Sequence, residues 1–342
     1  MTSTTTAHVG YLDGWRGIAL LFLLIGHFFP GGGINLGHVG VFLFFVLSGY
    51  LMSDLLFIKR TPIPLFYKRR VSRIFPALIC YVACVVVFCA ATARTIAWDE
   101  VFGALFFLNY PHLNARIEMP SVGHIWSLSI EEHAYVLLSL VAIAARAGKV
   151  KALWLVGALA TACVLVTVAM WPDRLADRAG IFKWLQFEAF GYGLFLSGAL
   201  LLAFQGKRIP AMPALVYVLV FSAGVLSHWW SIPMPVQLVF GMGLFAVVLQ
   251  SLKTAPPSIQ AMLSWKPLRM LGTWSYSIYL WQQPFFVAQD NGVILWYVSL
   301  PCAIACGLVS YYAVEAPARN YLNARWRSRA AVAASIDMTK RA

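Results

Sequence analysis

The chain has 342 residues, of which 61% are hydrophobic and only 11% are charged, and its formal net charge at pH 7 is +13. A soluble domain cannot cover that much apolar surface, so the composition excludes a soluble enzyme and indicates an integral membrane protein. The positive charge does not indicate nucleic acid, because the basic residues concentrate in the loops between apolar runs.

Ten apolar runs are long enough to cross roughly 30 Å of hydrocarbon as helices. In chain order they lie near residues 14–30, 39–58, 76–97, 122–146, 151–171, 182–204, 214–230, 236–252, 271–289 and 293–314. The segment 100–110 (EVFGALFFLNY) is apolar but too short to cross, and we expect it to be re-entrant or interfacial. The sequence therefore predicts an all-α polytopic membrane protein with about ten transmembrane helices.

The loops on one side of these runs hold 21 of the 26 Lys and Arg residues. Because basic loops stay in the cytoplasm, this asymmetry predicts that the N- and C-termini are both cytoplasmic, as an even number of spans allows. We predict a single transmembrane domain at residues 1–320 and a basic, mobile cytoplasmic tail at residues 321–342. Any chemistry must then take place in or at the membrane.

The first run (GWRGIALLFLLIGHFF) carries Arg16 at its predicted cytoplasmic end and His27 eleven residues later. About three helical turns separate them, so the two side chains share a face roughly 16 Å apart, with His27 predicted near mid-membrane. Ionisable residues inside spans are costly and mark functional sites. The alternative is that Arg16 is a snorkelling anchor and His27 a hydrogen-bonded packing residue.

A basic segment (FYKRRVSRIFP) precedes the third run. Arg70 and Arg73 lie one turn apart if the next helix begins there, just before Pro76. Guanidinium groups at that spacing can bind a phosphate group bidentately. The alternatives are ordinary positive-inside charge and contact with anionic lipid headgroups.

An acidic segment (HIWSLSIEEHAYVLL) opens the fourth run and places Glu131 and Glu132 two to three turns into the hydrocarbon, with Tyr135 one turn further. A carboxylate at that depth needs a partner, and His27 is the best candidate. Such a pair is the usual arrangement of a general base, because the carboxylate orients the imidazole and stabilises its charged form. The alternatives are a structural ion pair and a proton relay.

Two weaker features lie in other runs. Ser48 and Gly49 form a small pair that permits close helix packing or a kink. The succession of Gln282, Gln283 and Pro284 predicts an unwound or cavity-lining stretch. We assign no metal site, because the other histidines lack a carboxylate or cysteine at ligand spacing and the six cysteines lie in apolar runs.

Six motifs resemble those of the membrane-bound acyltransferase 3 family, in the same order, from residue 11 to residue 319. They are YLDGWRGIALLFLLIGH, GVFLFFVLSGYL, FYKRRVSRIFP, WSLSIEEHAY, SYSIYLWQQP and VEAPAR. Two positions depart from the family pattern: Phe42 replaces a common acidic residue, and Gln282 replaces a common histidine. Because both changes could reshape the acceptor pocket, no particular substrate is carried over.

The resemblance implies ten transmembrane helices and transfer of an acyl group, commonly acetyl from acetyl-CoA, to a hydroxyl of a carbohydrate or another acceptor. It implies that His27 is catalytic and that Arg16, Arg70 and Arg73 serve the donor. It also implies a stand-alone form without an SGNH-type domain, no permanently bound cofactor and, together with the lack of other targeting signals, a prokaryotic inner membrane.

We therefore expect the three arginines to bind the phosphates of CoA at the cytoplasmic mouth while the thioester reaches His27. His27, supported by Glu131 or Glu132, would take the proton from the acceptor hydroxyl. The sequence leaves open whether an acyl-enzyme forms. The reaction also needs an oxyanion stabiliser. Four candidates remain undistinguished: Ser127, Ser129, Tyr135 and Gln282.

The expected partners are acyl-CoA, a cell-surface or exported carbohydrate and the lipid bilayer. Three alternative functions remain open. The protein could acylate a small molecule or lipid instead of a surface carbohydrate. It could be a secondary transporter or flippase without covalent chemistry, although no inverted repeat is visible. It could also be a non-catalytic scaffold, in which case substitution of His27 would affect only stability.

Overall fold

The computed structural model describes residues 10–29, 31–109, 118–170 and 187–326. The described residues are helical, without a β-sheet. The first seven helices are α1 (Gly10–Phe28), α2 (Leu36–Ile58), α3 (Ile63–Ala91), α4 (Trp98–Leu105), α5 (Pro120–Gly123), α6 (Trp126–Arg146) and α7 (Ala152–Ala169). The remaining helices are α8 (Phe187–Ala203), α9 (Ala214–Leu226), α10 (Met234–Thr254), α11 (Pro257–Leu263), α12 (Lys266–Asp290) and α13 (Trp296–Trp326).

A helix lies within each of the ten predicted apolar runs. Six segments are long and apolar enough to be candidate membrane spans: Leu36–Ile58, Ile63–Ala91, Pro120–Arg146, Ala152–Ala169, Met234–Thr254 and Trp296–Trp326. Helices α8 and α9 have shorter apolar segments. Helices α1 and α12 are not among the six, and both carry polar side chains of the candidate site between their apolar residues.

Several helix boundaries differ from prediction, and the following three differences bear on the candidate site or on the tail. Helix α3 begins at Ile63, so the basic segment predicted as a loop forms its first turns, and Pro76 lies inside the helix. The flanking prolines explain this start, since proline is well suited to the first helical turn. Helix α12 runs unbroken through Pro284, so the predicted unwound stretch is wrong. Helix α13 continues past residue 320, and residues 327–342 lie outside the described residues.

The short segment at 100–110 begins within α4, which has eight residues and is too short to cross a membrane. Its last residue, 110, lies outside the described residues. This agrees with the expectation that the segment does not span.

Close packing of α1 and α2 against their neighbours builds the core. A methyl group placed on Gly49 in α2 would lie 2.0 Å from the backbone oxygen of Leu194 in α8. One placed on Gly272 in α12 would lie 1.9 Å from the backbone oxygen of Asp13 in α1. The predicted role of Gly49 in close packing is therefore confirmed, and the small residues bring the helix backbones into direct contact.

The turn between α2 and α3 is held by Arg146 at the end of α6. Its Nη2 donates hydrogen bonds to the carbonyl oxygens of Leu56 and Thr61, each at 2.9 Å. The last turn of α2, from Asp54 to Ile58, is a π-helix, which widens the backbone. These contacts set the position of α3, on which two of the predicted site arginines lie.

Candidate active site

A cleft lies between α1, α2, α3, α6 and α12. Apolar residues of α2, α3 and α6 form part of its wall, and the rest is polar. Six of the predicted site residues line it: Arg16, Arg70, Arg73, Ser127, Glu131 and Tyr135. His27, Glu132, Ser129 and Gln282 lie outside its lining. Five helices that are distant in sequence thus bring most of the predicted polar residues to one cavity.

Arg70 is bound to Glu132 across the α3–α6 interface. Its Nε and Nη2 donate to Oε1 of Glu132 at 3.0 and 2.8 Å, and the guanidinium carbon lies 3.8 Å from the centre of the Tyr135 ring. The two charged side chains are only 13% and 16% exposed. The guanidinium of Arg70 is therefore already engaged, and this ion pair holds the wall of the cleft together.

Glu131 is satisfied by two hydroxyl groups. Ser48 donates to its Oε1 at 2.8 Å, and Tyr135 donates to its Oε2 at 2.9 Å. Both carboxylate oxygens thus have partners within the cleft wall, as a buried carboxylate requires. Sequence reasoning missed this use of Ser48, because nothing in α2 alone indicates which helix faces it.

The other two cleft arginines are less fully paired. Nη1 of Arg16 donates to Oδ1 of Asp13 at 2.9 Å, one turn earlier in α1. Arg73 forms no hydrogen bond or direct ion pair with any residue in the part of the chain that the structure describes. This part of the cleft therefore contains the guanidinium groups of Arg16 and Arg73, and Asp13 supplies the one carboxylate among the described residues that bonds directly to either of them. A site of this kind attracts an anion.

His27 lies in the last turn of α1, outside the cleft lining, and its partner is an amide. Its Nδ1 lies 2.8 Å from Oε1 of Gln282, and its ring stacks on Phe286 with 4.5 Å between centroids. An amide oxygen only accepts hydrogen bonds, so Nδ1 carries the hydrogen and Nε2 is left as the basic nitrogen. The contacts hold the ring in one orientation and one tautomer.

The predicted pairing of His27 with Glu131 or Glu132 is wrong. The two glutamates lie in the middle of the Pro120–Arg146 span and bind residues of α2, α3 and α6. His27 is one residue from the end of α1, instead of near mid-membrane as predicted. The pairing fails because His27 faces α12, where Gln282 binds its Nδ1, whereas both glutamates are bound by side chains of α2, α3 and α6.

Helix α12 connects the cleft to His27 along one face. Ser275, Tyr276 and Tyr279 line the cleft, and Gln282 follows Tyr279 by three residues. Three residues correspond to a rise of about 4.5 Å and return to the same side of the helix. His27 therefore lies about one turn beyond this part of the cleft.

The cleft is bounded at this point by a hydroxyl network. Tyr279 donates to the carbonyl oxygen of His124 at 2.6 Å, and its oxygen lies 2.7 Å from Oγ of Ser127. The His124 ring lies with its centroid 5.0 Å from that of Tyr279. Sequence reasoning gave neither Tyr279 nor His124 a role. The only available signal was the position of His124 as the first residue of the acidic segment HIWSLSIEEHAYVLL.

No cluster of three or more metal-ligating side chains occurs among the residues described by the structure. The polar groups that converge here are guanidinium, hydroxyl, amide, carboxylate and imidazole groups. Such a set can bind an anion at one point and move a proton at another.

Comparison with known sequences gives a family match. Residues 9–316 match the family Acyl_transf_3, an acyltransferase domain. The chain is 29% identical to the putative peptidoglycan O-acetyltransferase YrhL of Bacillus subtilis, over 90% of this chain and 54% of that protein. It is 25% identical to the O-acetyltransferase OatA of Staphylococcus aureus, over 90% of this chain and 57% of that protein.

The peptidoglycan O-acetyltransferase OatA of Listeria monocytogenes is also 25% identical, over 83% of this chain and 50% of that protein. The chain thus spans about half the length of the curated relatives it matches. No solved structure matches it at a significant level.

Proposed function

The chain belongs to the Acyl_transf_3 family of acyltransferase domains, and on that premise we propose that it is a membrane-embedded O-acyltransferase. It moves an acyl group, in the first instance acetyl, from cytoplasmic acyl-CoA to a hydroxyl of a cell-surface or exported carbohydrate. The observation that carries the proposal is the cleft lined by Arg16 and Arg73, together with the His27–Gln282 pair, which lies about one helical turn beyond the cleft along α12. The names of the relatives support a carbohydrate acceptor.

The proposed arrangement places the ten long helices across a prokaryotic inner membrane with both termini in the cytoplasm. The distribution of Lys and Arg supports this orientation. Arg16 then lies nearer the cytoplasmic side, where CoA is found, and His27 lies near the outer side, where an exported acceptor arrives. The nucleotide end of CoA stays on the cytoplasmic side, while its pantetheine arm extends along α1 and presents the acyl group to His27.

Arg16 and Arg73 bind the anionic part of the donor in this proposal. Arg73 has no ion-pair partner among the described residues, and Arg16 forms an ion pair there with Asp13 alone. Arg70 takes a different role from the one expected from sequence. Its ion pair with Glu132, in which two guanidinium nitrogens donate to one carboxylate oxygen, holds α3 against α6 and so positions the cleft wall.

His27 acts as the general base through Nε2. Gln282 orients the ring and keeps the hydrogen on Nδ1, as a carboxylate would, but without adding charge. His27 takes the proton from the acceptor hydroxyl as that oxygen forms a bond to the thioester carbonyl carbon. When the carbon–sulfur bond breaks, the proton passes to the departing thiolate, which leaves an ester and free CoA.

The test uses the purified chain in lipid nanodiscs with acetyl-CoA labelled in the acetyl group and a soluble peptidoglycan fragment as acceptor. We expect mass spectrometry to detect a labelled acetyl ester with the wild type and none with His27→Ala. We also expect acetyl-CoA to raise the melting temperature of both proteins, because His27 is distant from the proposed anion site.

Ester formation by the His27→Ala variant would contradict the role of His27. Labelled product on the nanodisc lipid instead of the glycan would identify a lipid acyltransferase. Transport of a solute without any acetyl ester would replace the proposal by a transporter function.

A further inference from the structure

His124 is a buried histidine whose ring is not used in the proposed mechanism. It lies in the turn between α5 and α6 and is only 6% exposed. Among the described residues, neither Nδ1 nor Nε2 of His124 has a partner in good hydrogen-bond geometry, although the Ser121 backbone lies near enough for a weak interaction with the ring. Burying polar atoms without partners is unfavourable, and such groups are rare in folded proteins. An imidazole kept in this state suggests a partner that arrives with the substrate.

His124 lies beside Tyr279, at the boundary of the cleft. Its ring packs against Tyr279 on one side and against Tyr81 on the other, with centroid distances of 5.0 and 5.7 Å. Tyr279 lines the cleft, and Gln282, one turn further along α12, binds His27. The rings of His27 and His124 are also near enough to interact electrostatically. A group that passes from the cleft toward His27 therefore comes close to the His124 ring.

The proposed reaction needs a hydrogen-bond donor for the oxygen of the thioester carbonyl, which becomes negative as the acceptor attacks. Among the sequence-derived candidates, Ser129 donates within its own helix to the Ile125 carbonyl at 3.3 Å. The Tyr135 hydroxyl donates to Glu131 at 2.9 Å. Their donor hydrogens are therefore already used in the cleft wall or within α6.

The other two candidates are also engaged. The Tyr279 hydroxyl donates to the His124 carbonyl, so the short contact between Tyr279 and Ser127 uses the hydrogen of Ser127. Gln282 accepts from His27 through its oxygen and donates one of its two amide hydrogens to Gln283, so its side chain is held in place as the partner of the general base. In contrast, a neutral imidazole always carries one N–H group, and that of His124 has no acceptor in good hydrogen-bond geometry among the described residues.

We propose that His124 is a further catalytic residue whose ring N–H donates a hydrogen bond to the carbonyl oxygen of the acyl thioester. The inference rests on the proposed acyl transfer and deepens it. As the acceptor oxygen bonds to the carbonyl carbon, His27 takes the proton and His124 stabilises the resulting oxyanion. When the carbon–sulfur bond breaks, the carbonyl reforms, the thiolate receives the proton from His27, and His124 is unchanged.

The test compares wild type with His124→Phe in the acetyl-transfer assay and in thermal unfolding. Phenylalanine keeps an aromatic ring between Tyr81 and Tyr279 but removes two unpartnered polar atoms, so we expect an unchanged or higher melting temperature. We expect kcat to fall on the order of 10²–10³-fold, the usual effect of removing one oxyanion donor. The KM for acetyl-CoA should stay near the wild-type value. A purely structural residue would not give a stable protein with a defect confined to kcat.

His228→Phe is the matched control. The His228 ring is also fully buried and has an unpartnered Nε2, but it packs against Phe42 and Phe245, away from Tyr279. We expect its kcat to equal that of wild type. A similar loss of kcat in both variants would overturn the proposal, because it would reflect loss of a buried imidazole anywhere at this end of the bundle.

A stable His124→Phe protein with wild-type kcat, or with a defect confined to KM, would also overturn the proposal. If that variant does not fold, His124→Ala is judged by the same criteria. Absence of acetyl transfer by wild-type protein would overturn the proposed function and, with it, this role. If the wild type transfers acetyl and the His124 variants are fully active, the role of His124 is overturned while the proposed function stands.

Discussion

Nδ1 of His27 lies 2.8 Å from Oε1 of Gln282, although the two residues are 255 positions apart in the chain. The contact joins the last turn of α1 to the middle of α12. It determines which ring nitrogen of His27 carries the hydrogen, and it leaves Nε2 as the base. A neutral amide therefore occupies the position for which the sequence suggested a glutamate.

The first prediction concerns this contact. Gln282→Leu removes the acceptor for His27 Nδ1, so the ring can rotate or change tautomer. We expect kcat in the acetyl-transfer assay to fall on the order of 10²-fold, as for other misplaced catalytic groups, with little change in the KM for acetyl-CoA. The control is Gln260→Leu, since Gln260 binds the carbonyl oxygens of Leu252 and Lys253 near the start of α1. Wild-type kcat in Gln282→Leu would show that Gln282 does not orient His27.

The second prediction concerns the donor site. Arg73→Ala removes the guanidinium that has no direct partner among the described residues, so the fold loses little. Acetyl-CoA at about one hundred times its dissociation constant should stabilise wild type by about 2.7 kcal/mol. We expect this thermal shift to be strongly reduced in Arg73→Ala. The control is Arg208→Ala, which changes a basic residue outside the cleft. An unchanged acetyl-CoA shift in Arg73→Ala would exclude Arg73 from the donor site.

The third prediction concerns the Arg70–Glu132 pair. Arg70→Met leaves the half-buried Glu132 without its partner, and we expect the free energy of unfolding to fall by up to about 3–5 kcal/mol, the loss typical of breaking a fully buried pair. The double variant Arg70→Met/Glu132→Leu removes both charges and should recover most of that loss. Thermal or denaturant unfolding in detergent measures both effects. If the double variant is no more stable than Arg70→Met, the pair does not have the structural role assigned here.

The fourth prediction concerns helix packing. A methyl group on Gly49 would meet the backbone of α8 at Leu194, so we expect Gly49→Ala to cost about 1–3 kcal/mol of stability. Gly157 in α7 is a matched control, because nothing lies within 4 Å of its added methyl group. Gly157→Ala should be neutral or stabilise by up to about 1 kcal/mol, since alanine favours the helix. Equal melting temperatures for the two variants would contradict the close contact of α2 and α8.

Several features of the fold were predictable from local sequence. The apolar runs indicated where helices lie, because length and hydrophobicity act on each segment separately. The start of α3 was not predicted, since the basic residues suggested a loop while the prolines at its beginning favour a helix. Pro284 was over-interpreted, because a proline within an apolar helix can be tolerated when surrounding helices support it.

The residues that line the candidate site were also largely predictable from the sequence. The hydrogen-bond and ion-pair partners of these residues were not. Arg16, Arg70, Arg73, Glu131 and Tyr135 all line the cleft, as expected of polar residues in apolar runs. Spacing along one helix shows which residues share a face. It does not show which face of another helix lies opposite, or at what depth.

The sequence by itself determined that the chain is an all-helical membrane protein of the acyltransferase family. It also determined which polar residues lie within apolar runs and are therefore candidates for the site. Composition, run length and motif order do not depend on tertiary contacts. Only the tertiary structure decided the partners: Gln282 for His27, Glu132 for Arg70, and none among the described residues for the His124 ring. The physical reason is that hydrogen bonds act only over about 3 Å. A shift of one helical turn, about 5.4 Å, is enough to replace one partner with another.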